Sequence, residues 1–120
     1  NQIKPPFNVN KPAMFAAAAA ISDSSWLKKE IKHVNKWRKM MFKKFKEIKI
    51  ETNEGNANFL LITFNRVKIN SLEMFKKLAK FGVLVRKMDS YGIKNSLRVT
   101  IGKTKENKKF LLKIKKIMNV

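Results

Sequence analysis

The chain predicts a two-layer α+β domain, in which a mainly antiparallel sheet of about four strands carries helices packed on it. Three patterns point there. Apolar residues recur every three or four positions from Leu27 to Ile48, as on one face of a helix. Val83, Val85, Leu97, Val99 and Ile101 alternate with Leu84, Arg86, Arg98 and Thr100, the period of half-buried strands. Turn and cap residues separate these runs at spacings that alternate pairs of strands with helices.

The elements follow in order. NQIKPPFNVNKP, residues 1–12, reads as an extended lead-in, because a residue before proline is pushed away from helix. Pro12 suits the first turn of a short helix through AMFAAAAAIS, alanine having the best helix propensity. Asp23, Ser24 or Ser25 caps a long helix whose Leu27, Ile31, Val34, Met41, Phe45 and Ile48 face inward, with Arg38 interrupting the stripe. IKIETNE and NANFLLITF then form two strands around Gly55, the second apolar on both faces and therefore central. Asn70 and Glu73 make a capping-box pattern for a helix with Leu72, Phe75, Leu78 and Ala79 inward, and Gly82 suits its end. The two arginine-bearing strands follow, and Thr104 caps a last helix carrying Phe110, Leu111, Ile114 and Ile117.

Composition narrows the function. At 120 residues and 44% hydrophobic, the chain is sized for one folded domain. No cysteine is present and His33 is the sole histidine, so disulfides, thiolate sites and histidine clusters are excluded and no metal is expected. His33 lies mid-helix between lysines and reads as exposed. The longest apolar run, Ala13–Ile21, is too short to span a bilayer. No charged-then-apolar leader opens the chain, so no membrane partner and a cytoplasmic setting are expected. The formal charge of +20 invites a nucleic-acid reading. Lysines are however spread over nearly every segment, and arginine, which grips phosphate bidentately, is scarce, so a solvated lysine coat accounts for the charge better. The four glycines form no phosphate-binding loop, and no nucleophile, base or paired-carboxylate set suggests catalysis.

Only Arg38, Arg66, Arg86 and Arg98 are arginine among 28 basic residues. A hairpin centred on Gly92 places Arg86 opposite Arg98, and like charges directly opposed on a sheet are unfavourable. An anion between them removes the conflict, and a guanidinium holds carboxylate or phosphate with two parallel hydrogen bonds. Solvation of both arginines, or pairing with Asp89, would explain the same pattern without a ligand. Arg38 and Arg66 belong to no motif and read as surface residues.

IKPPFNVNKPAMFAAAAAISD, NANFLLITF and GVLVRKMDSYGIKNSLRVTIGKTKEN, in this order and spacing, resemble the C-terminal small domain of the histidinol-phosphate aminotransferases. These are pyridoxal-phosphate enzymes of fold type I, and the resemblance covers essentially the whole chain. It implies one small domain over residues 1–120, with residues 1–12 leading in from a larger upstream domain. That domain would hold the cofactor lysine, the aspartate at the pyridine nitrogen and the cofactor phosphate site. No catalytic residue is then expected here, and the chain alone is expected to be inactive and to bind no pyridoxal phosphate. The resemblance further implies that Arg98, in LRVT, binds the carboxylate of glutamate or 2-oxoglutarate and, with Arg86, the phosphate of histidinol phosphate. Asn10, Tyr91 and Gly92 are candidate lining residues, for which a turn role serves equally well, and Asn58 fits a backbone bond at a strand edge. The family is usually homodimeric through the larger domain. An apolar surface is expected on the lead-in and the alanine-rich helix. A related aromatic aminotransferase or aminophosphate decarboxylase, or a free-standing basic module binding nucleic acid, are the alternatives.

Overall fold

The computed structural model describes residues 9–120. Its elements run α1 (Lys11–Ser22), α2 (Ser24–Glu47), β1 (Glu51–Thr52), β2 (Phe59–Thr63), α3 (Ser71–Lys80), β3 (Arg86–Lys87), a 3₁₀ turn (Asp89–Tyr91), β4 (Ser96–Thr100) and α4 (Thr104–Met118). This is the predicted order. The chain divides into two compact units, residues 1–32 and 33–120.

In the first unit, Asn10 has extended backbone, and its side-chain oxygen accepts the Ala13 N–H at 2.8 Å. Lys11 and Pro12 are therefore already helical, two residues before the expected end of the lead-in; most of the lead-in, residues 1–8, lies outside the described residues. Pro12 sits in the first turn, where its missing N–H costs no helical bond. Asp23 caps α2, accepting from the Trp26 N–H at 2.9 Å and the Ser25 hydroxyl at 2.8 Å. These bonds, the Trp26 amide foremost, hold its carboxyl below the usual carboxylate range. Helix α1 buries no residue, and Met14, Phe15, Ile21 and Trp26 are exposed. Leu27 and Ile31, expected inward, are exposed as well, half of their surface being open. Periodicity identifies a face that needs a partner; it does not supply one.

The second unit holds the core. From α2 come Trp37, Met41 and Phe45, from α3 Met74 and Leu78, and from α4 Phe110 and Ile114; they pack with Leu60 and Ile62 of β2 and Leu97 and Val99 of β4. The Phe45 and Phe110 rings meet edge to face at 6.0 Å. The sheet is antiparallel with strand order β1-β2-β4-β3, so β2 is interior, as its two-sided apolar run predicts. Because the side chains at 60, 62, 97 and 99 enter the core, those at 59, 61, 98 and 100 point to the opposite face. The helices of this core thus cover one side of the sheet.

Several local expectations shift. In α3, Asn70 caps by accepting the Glu73 N–H, but Met74 is buried and Leu72 exposed, because the inward stripe runs through 71, 74 and 78. Strand β3 is only two residues long. The Val83 N–H is taken by Leu78 O at the end of α3, and a cleft of about 540 Å³ lies between residues 82–85 and Val99–Thr100, so the ladder cannot extend back to Val83. Thr104 begins α4 instead of capping it. Its hydroxyl accepts from Trp37 Nε1 at 3.3 Å, while the Glu106 carboxylate takes the Lys103 N–H at 2.7 Å.

Two residues read as surface groups are partly or wholly inside. His33 is half-buried, with Nε2 3.0 Å from Gly102 O; a carbonyl only accepts, so Nε2 carries the proton. Arg38 is only 6% exposed, because on a 3.6-residue repeat it falls on the same stripe as Met41 and Phe45. Its Nη1 donates to Ala57 O at 3.2 Å. Arg66 is exposed as expected and pairs with Glu51 at 2.7 Å.

Buried Asn107 completes the joint between β4 and α4, since its Oδ1 accepts the Gly102 N–H at 2.9 Å and its Nδ2 donates to Gly102 O at 2.8 Å. Replacing it with alanine strands that N–H in a half-buried place, while His33 still serves the carbonyl. Asn107→Ala is expected to lower stability by about 1–3 kcal/mol, read from urea unfolding monitored by tryptophan fluorescence. An unchanged midpoint would mean that water replaces the amide at no cost.

Candidate functional site

Arg86 and Arg98 are directly paired across β3 and β4, as a hairpin centred on Gly92 requires. The turn is made by the Asp89–Tyr91 3₁₀ segment and closed by Gly92 at φ 73°, a left-handed conformation that favours glycine. The Gly92 N–H bonds to Asp89 O at 3.0 Å. Gly92 thus has a turn role, and it sets the register that opposes the two arginines.

The guanidiniums differ in surroundings. Arg86 is exposed, and its Nη2 donates to the Tyr91 hydroxyl at 2.6 Å, with the Tyr91 ring 5.2 Å from the guanidinium carbon. It borders an open cleft of about 510 Å³ with Phe75, Val85, Lys87, Asp89 and Ser90. Arg98 is half-buried beside Leu61, its cross-strand partner, and its guanidinium carbon is 5.2 Å from the Phe59 ring. The Arg98 Nε is buried and makes no hydrogen bond among the described residues. None of the three ion pairs found among those residues involves Arg86, Arg98 or Asp89. Pairing with Asp89 therefore does not resolve the charge conflict. Two opposed guanidiniums with no paired carboxylate among the described residues can donate to the paired oxygens of a carboxylate or phosphate.

The other candidates fall out differently. Tyr91 joins Arg86, and its phenol can still donate a hydrogen bond. The Asn10 side-chain oxygen is engaged at the α1 cap, in the other unit. The Asn58 main-chain carbonyl accepts the Ile101 N–H at 2.8 Å, a bond that does not involve its side chain. Phe59 was not singled out by sequence pattern. Its contact with Arg98 depends on the register between β2 and β4, whose first residues, Phe59 and Ser96, are 37 positions apart, which no local signal announces. Among the described residues no group of three metal-ligating side chains occurs, and no helix is long and apolar enough to cross a membrane.

Comparison with known proteins identifies the family. The chain is 42% identical over 120 residues to the histidinol-phosphate aminotransferase of Pelagibacter ubique, an alignment covering 99% of this chain and 33% of that protein. It is 37% identical to the histidinol-phosphate aminotransferase of Campylobacter jejuni strain RM1221, covering 98% of the chain and 31% of the relative. The chain thus spans about a third of the length of the curated relatives it matches. Among solved structures, the histidinol-phosphate aminotransferase from Clostridium acetobutylicum superposes with a TM-score of 0.83 at 24% identity, over 98% of this chain and 36% of that one, which establishes the fold. The family model described as aminotransferase class I and II matches residues 1–114, and the chain belongs to that family.

Proposed function

We propose that this chain is the C-terminal small domain of a pyridoxal-phosphate-dependent enzyme that moves an amino group between histidinol phosphate and 2-oxoglutarate, in histidine biosynthesis. The observation that carries the reading is the directly opposed Arg86–Arg98 pair, which among the described residues has no paired carboxylate and no partner for the buried Arg98 Nε. The names and identities of the relatives favour histidinol phosphate over other amino donors.

In this reading Arg98 holds the α-carboxylate of glutamate or 2-oxoglutarate through its two-pronged edge. Arg86 joins it when the phosphate of histidinol phosphate enters, since a doubly charged anion calls for two cations where a carboxylate needs one. The Tyr91 hydroxyl holds Arg86 in place and has a proton left to donate to the same phosphate. One site can serve both substrates because a ping-pong transferase admits them in turn. Pyridoxal phosphate supplies the electron sink for the exchange. With no carboxylate paired to either arginine among the described residues, this face suits substrate anions, and in this reading the residues holding the cofactor belong to the rest of the longer protein. In this reading the enzyme dimerises through the part of the longer protein that lies outside this chain.

The test is an assay of the full-length protein. Amino transfer from histidinol phosphate to 2-oxoglutarate is expected to exceed transfer from aromatic amino acids by at least tenfold in kcat/KM. Preferred turnover of an aromatic amino acid, or release of carbon dioxide from an amino-acid phosphate, would replace this reading with one of its relatives in the fold type.

A further inference from the structure

We propose that Phe59 is a positioning residue for the anion site, fixing the plane of the Arg98 guanidinium and keeping water off one side of it. The inference rests on the proposed anion-binding role of Arg98 and adds a determinant of substrate affinity that is itself without charge or hydrogen bond. Phe59 and Arg98 are not directly opposed. Phe59 pairs with Thr100 and Arg98 with Leu61, which makes phenylalanine and arginine diagonal neighbours on the outer face, within reach of an aromatic side chain. The guanidinium carbon lies 5.2 Å from the ring centroid, inside the range of cation–π attraction. On the opposed arginine an aromatic ring also lies at 5.2 Å, but Tyr91 adds a hydroxyl that takes one guanidinium N–H. Phe59 takes none. It offers packing and a π-face and takes no N–H of Arg98, whose buried Nε makes no hydrogen bond among the described residues.

The backbone beneath Phe59 is tied down on both sides. Buried Arg38 donates to Ala57 O, and Asn58 O accepts from Ile101, so the two residues preceding the ring are held to α2 and to the residue that follows the strand bearing Arg98. An arginine whose plane is set in advance loses less side-chain freedom when it captures an anion, and a dried flank strengthens the attraction. The effect therefore falls on binding and leaves the chemical step largely alone.

The experiment uses the full-length enzyme carrying Phe59→Leu, Phe59→Met, Phe59→Tyr or Arg98→Ala, with steady-state kinetics for both substrates. Both aliphatic variants are expected to raise KM for 2-oxoglutarate about fivefold or more while kcat stays within twofold, and Phe59→Tyr, which restores the ring, to stay within twofold of the parent in both. Three results overturn the inference: unchanged KM in the aliphatic variants, a tyrosine variant as impaired as leucine, or a loss confined to kcat. The Arg98→Ala arm separates the two claims. If it raises KM and the Phe59 variants do not, only the role of Phe59 falls; if it too leaves KM unchanged, the anion site falls first.

Discussion

Arg98→Ala in the full-length enzyme is expected to lower kcat/KM by ten- to hundredfold for both histidinol phosphate and glutamate. A hydrogen bond to a charged group contributes about 1.5–3 kcal/mol, and each 1.4 kcal/mol is a factor of ten. Arg98 is placed for the larger share of this, being half-buried with an Nε that no group among the described residues satisfies. Arg98→Lys should recover little, because an ammonium cannot present two parallel donors. Arg86→Ala should fall in the same range for histidinol phosphate, and the double variant should show less than the product of the two losses, since both groups act on one anion. A structural origin of these effects is separable. Arg86 is exposed and directly opposed to a like charge, so its removal should leave the urea midpoint of the chain no lower than before. Wild-type kcat/KM for both substrates in both alanine variants would end the proposed role of the pair.

Phe45→Ala should remove a large part of the stability of the chain. The side chain is completely buried, edge to face with Phe110, at the meeting of α2 with α4 above β2 and β4. Truncating a buried phenylalanine costs about 3–5 kcal/mol, from lost transfer free energy and the cavity left behind. A whole domain is stable by about 5–15 kcal/mol. Urea unfolding followed by tryptophan fluorescence should show a midpoint reduced by a third or more, or a chain unfolded without denaturant. Phe45→Leu, which fills most of the volume, should cost clearly less. A small loss in the alanine variant would mean that α2 is not anchored through this contact. The same substitution in the full-length enzyme should lower the yield of folded protein more than the kcat of what folds, as Phe45 lies on the opposite side of the sheet from the arginines.

The arginine pairing could be read in advance because it depends on a local hairpin. Six residues separate each arginine from Gly92, and a period of two does the rest. The order of elements was equally legible, since caps such as Asn70 and Asp23 act within three residues of themselves. The amphipathic stripes were legible only in part. Met41, Phe45, Phe110 and Ile114 are buried where spacing puts them, yet Leu27, Ile31 and Leu72 on the same kind of pattern remain exposed. Arg38 shows the reverse error. Its charge argued for the surface, whereas its helical phase and an acceptor at Ala57 place it inside.

Local chemistry in the chain was thus enough for the fold class, the hairpin and the opposed cations, because each follows from residues near one another in sequence and from the fixed periods of helix and strand. The ring against Arg98 and the histidine bonded to Gly102 come from contacts between distant segments. Register and packing between such segments are set when the whole core closes, where the competition among many weak contacts has no image in any single stretch of sequence.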